Sequence, residues 1–136
     1  ISKLTYTSTL SIENDKSKYL KIKRFLSNDK KQEKYAYEVD TVTLDNYFKE
    51  KNLNNSLLKI DVEGHELNVL KGSKNIIKKI KYVIIERQYF KSYKDNFPEE
   101  CDKFLIENSF ILVKKFRFPT LHAEDRFYIN QIYKKN

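Results

Sequence analysis

LLKIDVEGHE, residues Leu57 to Glu66, divides in the middle. Its first half, LLKI, is a short apolar run of the kind that fills a strand buried on both faces. Its second half turns to charge: Asp61, Glu63 and Glu66, with Gly64 and His65 between them. In an open α/β sheet, ligands occupy the crevice beyond the carboxyl ends of the parallel strands. A buried strand that runs out into carboxylates marks the place in this chain where chemistry is expected.

A second apolar run, YVII (Tyr82 to Ile85), ends in the same way at Glu86. The two runs are separated by about twenty residues, enough for a helical crossover and too many for a hairpin. Joined in this way, they read as a right-handed parallel β-α-β unit. Within the crossover, Leu67 and Leu70 mark one helical turn, with Gly72 as its expected left-handed stop. Ser73 is placed to cap a second short helix that turns Ile76, Ile77 and Ile80 inward.

Upstream, residues 1–18 are polar and weakly patterned. YLKIKRFL (Tyr19 to Leu26) and the stretch Lys34 to Val42 alternate, and read as the arms of an antiparallel hairpin around SNDKKQ. Thr43 is placed to cap a short helix over Leu44 to Glu50. Downstream, Arg87 to Phe97 is an aromatic and basic loop, able to line a site or to lie over it as a surface lid. Pro98, Glu99 and Glu100 open a helix with proline and acids where its first turn favours them. Cys101, Phe104 and Leu105 form its apolar stripe, so Cys101 reads as packing rather than as a nucleophile. Phe110 to Phe116 and Arg126 to Tyr133 are expected to pair antiparallel around a loop holding Pro119 and His122.

The chain of 136 residues fits one domain. Its net charge of +8 comes mostly from scattered lysines, which reads as a solvated surface and not as a nucleic-acid site. No run of about twenty apolar residues is present, so no membrane span is expected. The single Cys101 allows no internal disulfide and fits a reducing, cytoplasmic location. Ile1 and an opening that reads mid-strand suggest a piece of a longer chain.

KIDVEGHELNVLKGS (Lys59 to Ser73), followed by YVIIE (Tyr82 to Glu86), resembles the FkbM-type methyltransferase family. VDTVTLDNYF (Val39 to Phe48) resembles the same family's lead-in, with weaker likeness in TSTLSI (Thr7 to Ile12) and DRFYINQIY (Asp125 to Tyr133). The resemblance implies an α/β fold: part of a class I, Rossmann-like methyltransferase sheet, strands 4-5-7-6, with an N-terminal β-hairpin insertion. It implies S-adenosylmethionine as cofactor and a hydroxyl of a sugar or small metabolite, free or in a glycan, as methyl acceptor. The family's glycine-rich cofactor loop has no counterpart, because the only glycines are Gly64 and Gly72 and neither stands in a G-x-G arrangement. The chain is therefore expected to be the carboxyl-terminal part of a methyltransferase domain, inactive alone. A non-catalytic remnant or binding module is the alternative. An apolar strand without its neighbour would also favour self-association.

Methyl transfer to an alcohol needs alignment of the reacting atoms and removal of a proton. Asp61 is expected at the reacting end of the cofactor or against the acceptor hydroxyl. Glu63 and Glu86 are candidate catalytic acids or orienting groups, and His65 is a candidate base because its ordinary pKa lies near neutrality. Glu66 and Arg87 are candidates for holding the acceptor. A bland role is equally open at the turn, with Gly64 permitting the backbone and Glu63 or Glu66 capping the next helix. Asp61, Glu63, His65 and Glu86 also have the ligand types of a divalent-metal site, although spacing along a turn does not make them converge.

Overall fold

Strands β1 (Leu57–Ile60) and β2 (Tyr82–Gln88) lie side by side and parallel, with Leu57 level with Tyr82 and Ile60 level with Ile85. The structure, a computed structural model, describes residues 16–17, 21–22, 25, 40–90, 93–94, 96–119 and 122–135. Between β1 and β2 the chain forms helix α2 (Glu66–Lys71) and a 3-10 turn (Ile76–Lys79); α1 (Leu44–Tyr47) precedes β1. Helix α3 (Pro98–Glu107) follows, and then β3 (Phe110–Arg117) and β4 (Ala123–Asn130). The four strands form one mixed sheet in the order β1-β2-β4-β3, β4 running antiparallel to both of its neighbours. An α/β arrangement with a four-stranded mixed sheet is consistent with part of a methyltransferase-like fold.

The sheet turns one face to the helices. Ile60, Val83, Ile85 and Tyr128 lie on it and pack with Leu67, Leu70, Ile77, Cys101 and Leu105 in a single buried cluster. Alternation along the strands sends Lys59, Ile84, Glu86, Asp125 and Phe127 to the opposite face. That face carries a Tyr82–Phe127 ring stack at 5.7 Å. An extra residue in β3 near Val113 breaks the register between Leu112 and Lys114, so that Lys114 pairs with Phe127 and Phe116 with Asp125.

Several expectations are corrected in detail. LLKI is not buried on both faces: Leu57 is 54% exposed and Lys59 is exposed, because β1 is an edge strand among the described residues. β2 continues past Ile85 to Gln88, held by β4, so Glu86 lies inside a strand and opposite Asp125. Gly72 is no left-handed stop, with φ −78° and ψ 1°. Ser73 Oγ donates back to the Leu70 carbonyl at 2.7 Å, and the 3-10 turn is capped from α1 instead. Asp45 accepts the Asn75 and Ile76 N–H groups at 3.0 and 2.9 Å and the Asn75 side-chain amide at 3.0 Å. Thr43 does cap α1, accepting from the Asn46 N–H at 3.2 Å, but the helix stops at Tyr47. β4 ends at Asn130, whose side chain is spent on the Ile80 carbonyl and the Ile132 N–H, and Gln131–Lys135 turn into a 3-10 helix.

The N-terminal hairpin is not what the described residues support. Lys21, Ile22 and Phe25 are helical, with the Lys21 N–H on the Ser17 carbonyl at 3.2 Å, and Asp40 to Val42 belong to no strand. Ile22 and Phe25 stand three apart, a spacing that suits a helix as well as a loose alternation suits a strand. The remainder of that expected hairpin lies outside the described residues. Among the described residues no helix is long and apolar enough to cross a membrane.

The two glycines make a paired test. Gly64 has φ +99°, and a Cβ there would stand 2.6 Å from the Cβ of Tyr93; at Gly72 the nearest atoms are 3.4 Å away and φ is ordinary. Gly64→Ala is expected to cost at least about 2 kcal/mol. Gly72→Ala should change stability by less than about 1 kcal/mol, because the alanine also restricts the unfolded chain. Urea midpoints of the two variants check the contrast.

Candidate functional site

β1 stops at Ile60 while β2 runs on, so Asp61 leaves the sheet just past the last parallel partners, Ile60 and Ile85, close enough for its charge to act on Glu86. The chain then turns sharply through two residues in the left-handed region, Glu63 at φ 51° and Gly64 at φ 99°. A non-glycine residue rarely adopts such a φ and is held there by its surroundings. Two carboxylates do the holding. Glu66, 5% exposed at the start of α2, accepts the Gly64 N–H at 3.0 Å and the Val62 N–H at 3.4 Å. Glu63 Oε2 accepts the Tyr93 hydroxyl at 2.9 Å and the Gln88 amide Nε2 at 3.0 Å. The same Gln88 Nε2 donates to Glu86 Oε2 at 3.3 Å, so one amide joins the two acids.

The electrostatics follow from crowding like charges into a partly dry place. Burial pushes Glu86 up to about 7, and the nearby charge of Asp61 adds to the effect, with Glu63 and Glu66 contributing less; the Gln88 hydrogen bond pulls the other way. A carboxyl that titrates near neutrality can take a proton at physiological pH and release it again. Lys59 supplies the balancing cation, 2.9 Å from Asp125 and 3.4 Å from Asp61. Its partial burial works against the charge, but the Asp125 hydrogen bond and the Asp61 and Asp125 charges outweigh it and hold its pKa above the usual value. Asp61 itself is 47% exposed, open to an incoming molecule.

Asp61, Glu63 and Glu86 thus lie near one another. His65 is half-buried as the N-cap of α2, its carbonyl accepting the Asn68 and Val69 N–H groups at 3.0 and 3.1 Å. Glu66 is committed to the turn that carries the other acids. Arg87 alternates to the helix-packed face, away from Glu86, and is clamped by Asp102 at 2.6 Å and Glu99 at 2.7 Å of α3. Gln88 and Tyr93 were not among the expected site residues. Gln88 was legible in principle, two residues after Glu86 on the same face, had the strand been carried past Ile85. Nothing in the sequence places Tyr93 against Gly64. Among the described residues no three His, Cys, Asp or Glu side chains converge as metal ligands.

The helix-packed face holds a second polar group of a different kind. Asp102 accepts from Arg87, from Arg126 and, at 2.5 Å, from the Tyr128 hydroxyl; Glu124 accepts from Arg126 Nε at 2.7 Å and from Tyr89 at 2.5 Å. An open cavity of about 590 Å³ borders it, lined by Arg87, Asp102 and Arg126 among others. Each buried charge here already has its counter-charge, so the group reads as a clamp between α3 and the sheet. Burial pushes the Cys101 thiol up to about 12, which keeps it protonated and inert beside that clamp.

Glu86 gives this site a measurable pH signature. Its folded pKa lies above the ordinary carboxyl value, so the folded state holds more protons than the unfolded one between about pH 4.5 and 7. Stability from this group is full below that window and falls as pH rises through it. Glu86→Gln is therefore expected to raise the urea midpoint at pH 8 and to match the parent near pH 4.5.

The model of the methyltransferase FkbM domain matches residues 3–117 of the chain, from the polar N-terminal stretch to the last residue of β3. β4 lies beyond the matched residues, although it occupies the middle of the sheet. No curated protein and no solved structure matches. With most of its length covered by that family's model, the chain belongs to the FkbM methyltransferase domain family.

Proposed function

We propose that this chain forms the acceptor side of an S-adenosylmethionine-dependent O-methyltransferase site, acting on a hydroxyl of a sugar or another small metabolite. The observation that carries the reading is the Asp61–Glu86 pair, Asp61 just past the end of β1 and Glu86 near it within β2, with burial pushing Glu86 up to about 7. In this reading β1, β2, β4 and β3 are strands 4, 5, 7 and 6 of the larger class I sheet.

S-adenosylmethionine, when bound, supplies an electrophilic methyl group on a sulfonium. The carboxylates at the turn suit the cationic methionine end of such a molecule, and the exposed Asp61 is the residue to meet it. The adenosine end finds no glycine-rich turn here: Gly72 stands at the close of α2, and the space at Gly64 is filled by Tyr93. That end is held by residues outside this chain. The chain's own work is on the acceptor. Glu86 takes the hydroxyl proton as the oxygen attacks, and Asp61 aligns that hydroxyl for an in-line approach. The cluster's negative charge raises the proton affinity of Glu86, so its ionised form is the stronger base for that proton. A non-catalytic binding module is the second reading, favoured by the same shortage of glycines.

In the protein that supplies both sides of the site, Asp61→Asn and Glu86→Gln should each lower methyl transfer by about tenfold or more. Rates within a few-fold of the parent in both variants would favour the binding module. Calorimetry of the 136-residue chain with S-adenosylhomocysteine is expected to show no binding tighter than about millimolar. Micromolar binding would put the adenosine site inside these residues. β1 pairs with β2 alone among the described residues, so the isolated chain should self-associate through that edge, and a sharp monomer in sedimentation would refute this.

A further inference from the structure

Tyr93 reaches the acidic turn from the loop after β2 and is 7% exposed. Its ring fills the space over Gly64, and its hydroxyl donates to Glu63 Oε2 at 2.9 Å. Glu63 is the residue whose backbone is strained, and Tyr93 touches both that side chain and the glycine after it. From Glu63 the contacts continue through Gln88 Nε2 to Glu86. Gln88 Oε1, meanwhile, is buried without a hydrogen-bond partner among the described residues. An apolar side chain would avoid that cost, so the amide is explained by its two donated bonds and not by stability. Strain at Glu63 and an orphaned acceptor at Gln88 lie at the two ends of one hydrogen bond.

We propose that Tyr93 is a positioning residue, which pins the Glu63 carboxylate so that Glu63 and Glu86, bridged by Gln88, face the acceptor as one linked pair. This rests on the methyl-transfer reading for the identity of the acceptor, but the linkage itself is a property of the folded chain. The groups around Glu86 are Asp61 after β1, Glu63 and Glu66 at the turn and α2, Gln88 on β2, and Asp125 opposite on β4, where Lys59 holds it. Of these, only Glu63 is bonded to the Tyr93 hydroxyl. Loss of that hydroxyl removes one of the bonds that hold the Glu63 carboxylate, loosening its charge beside Glu86 and its share of the Gln88 N–H. Both changes favour the ionised form of Glu86.

Carboxyl 13C NMR titration of Glu86 in the 136-residue chain tests this without cofactor or acceptor. Tyr93→Phe, which keeps the ring over Gly64, is expected to lower the Glu86 midpoint by about half a pH unit or more. Gln88→Leu removes the bond that favours the charged form and is expected to move the midpoint the opposite way. Opposite shifts support the linkage; an unchanged midpoint in Tyr93→Phe, or shifts of the same sign, would overturn it and leave Tyr93 as ring packing. Opposite shifts together with unaltered transfer in Asp61→Asn and Glu86→Gln would keep the linkage and remove the methyl-transfer reading.

Discussion

The parallel pairing of β1 with β2 is the constraint from which the rest follows. Ile60 and Ile85 lie level and buried on the helix-packed face, so the next residue of each strand, Asp61 and Glu86, alternates to the other face at the same height. A shift of one residue in this pairing would put an acid into the core, which costs far more than any contact the shift could gain. The hydrophobic cluster therefore sets the position of the acids without touching them. The crossover between the strands serves the same end, because Leu67, Leu70, Ile76 and Ile77 fasten it to that cluster and draw the acidic turn tight.

The two faces of the sheet handle charge differently. Behind the sheet, Asp102 and Glu124 are matched by Arg87 and Arg126, and the tyrosine hydroxyls of Tyr89 and Tyr128 complete the group. Burial pushes Glu124 up, but the Tyr89 and Arg126 hydrogen bonds prevail and keep it ionised at lower pH than usual. At the strand ends the opposite holds. Asp61, Glu63, Glu66 and Glu86 gather with Lys59 as the cation at hand, and the balance is met by holding a proton on Glu86 near neutrality. Matched charge suits a clamp, whereas a carboxyl that exchanges a proton near neutrality suits a reactive surface.

Local sequence was most informative where one physical cause acted alone. Pro98 with Glu99 and Glu100 starts α3, and Thr43 caps α1, because a helix start is satisfied by residues within a turn of it. The 3-10 turn was misread because its cap, Asp45, stands about thirty residues away, while Ser73 beside it had been spent on the helix before. Lys21, Ile22 and Phe25 are helical where a strand is expected, because a loosely alternating segment also satisfies a three-residue spacing.

The residue order alone determined that two apolar runs would pair in parallel and release acids at one end, because burial needs apolar side chains and a crossover of that length allows little else. It also determined the family, whose model matches residues 3–117. Which acids meet was settled only by the folded chain. β2 is extended past Ile85 because β4 lies along it, and this carries Gln88 up to Glu63 and turns Arg87 toward α3. Tyr93 over Gly64 and the near-neutral titration of Glu86 arise the same way, since desolvation and contact depend on what lies nearby in space and not on what lies next in the chain.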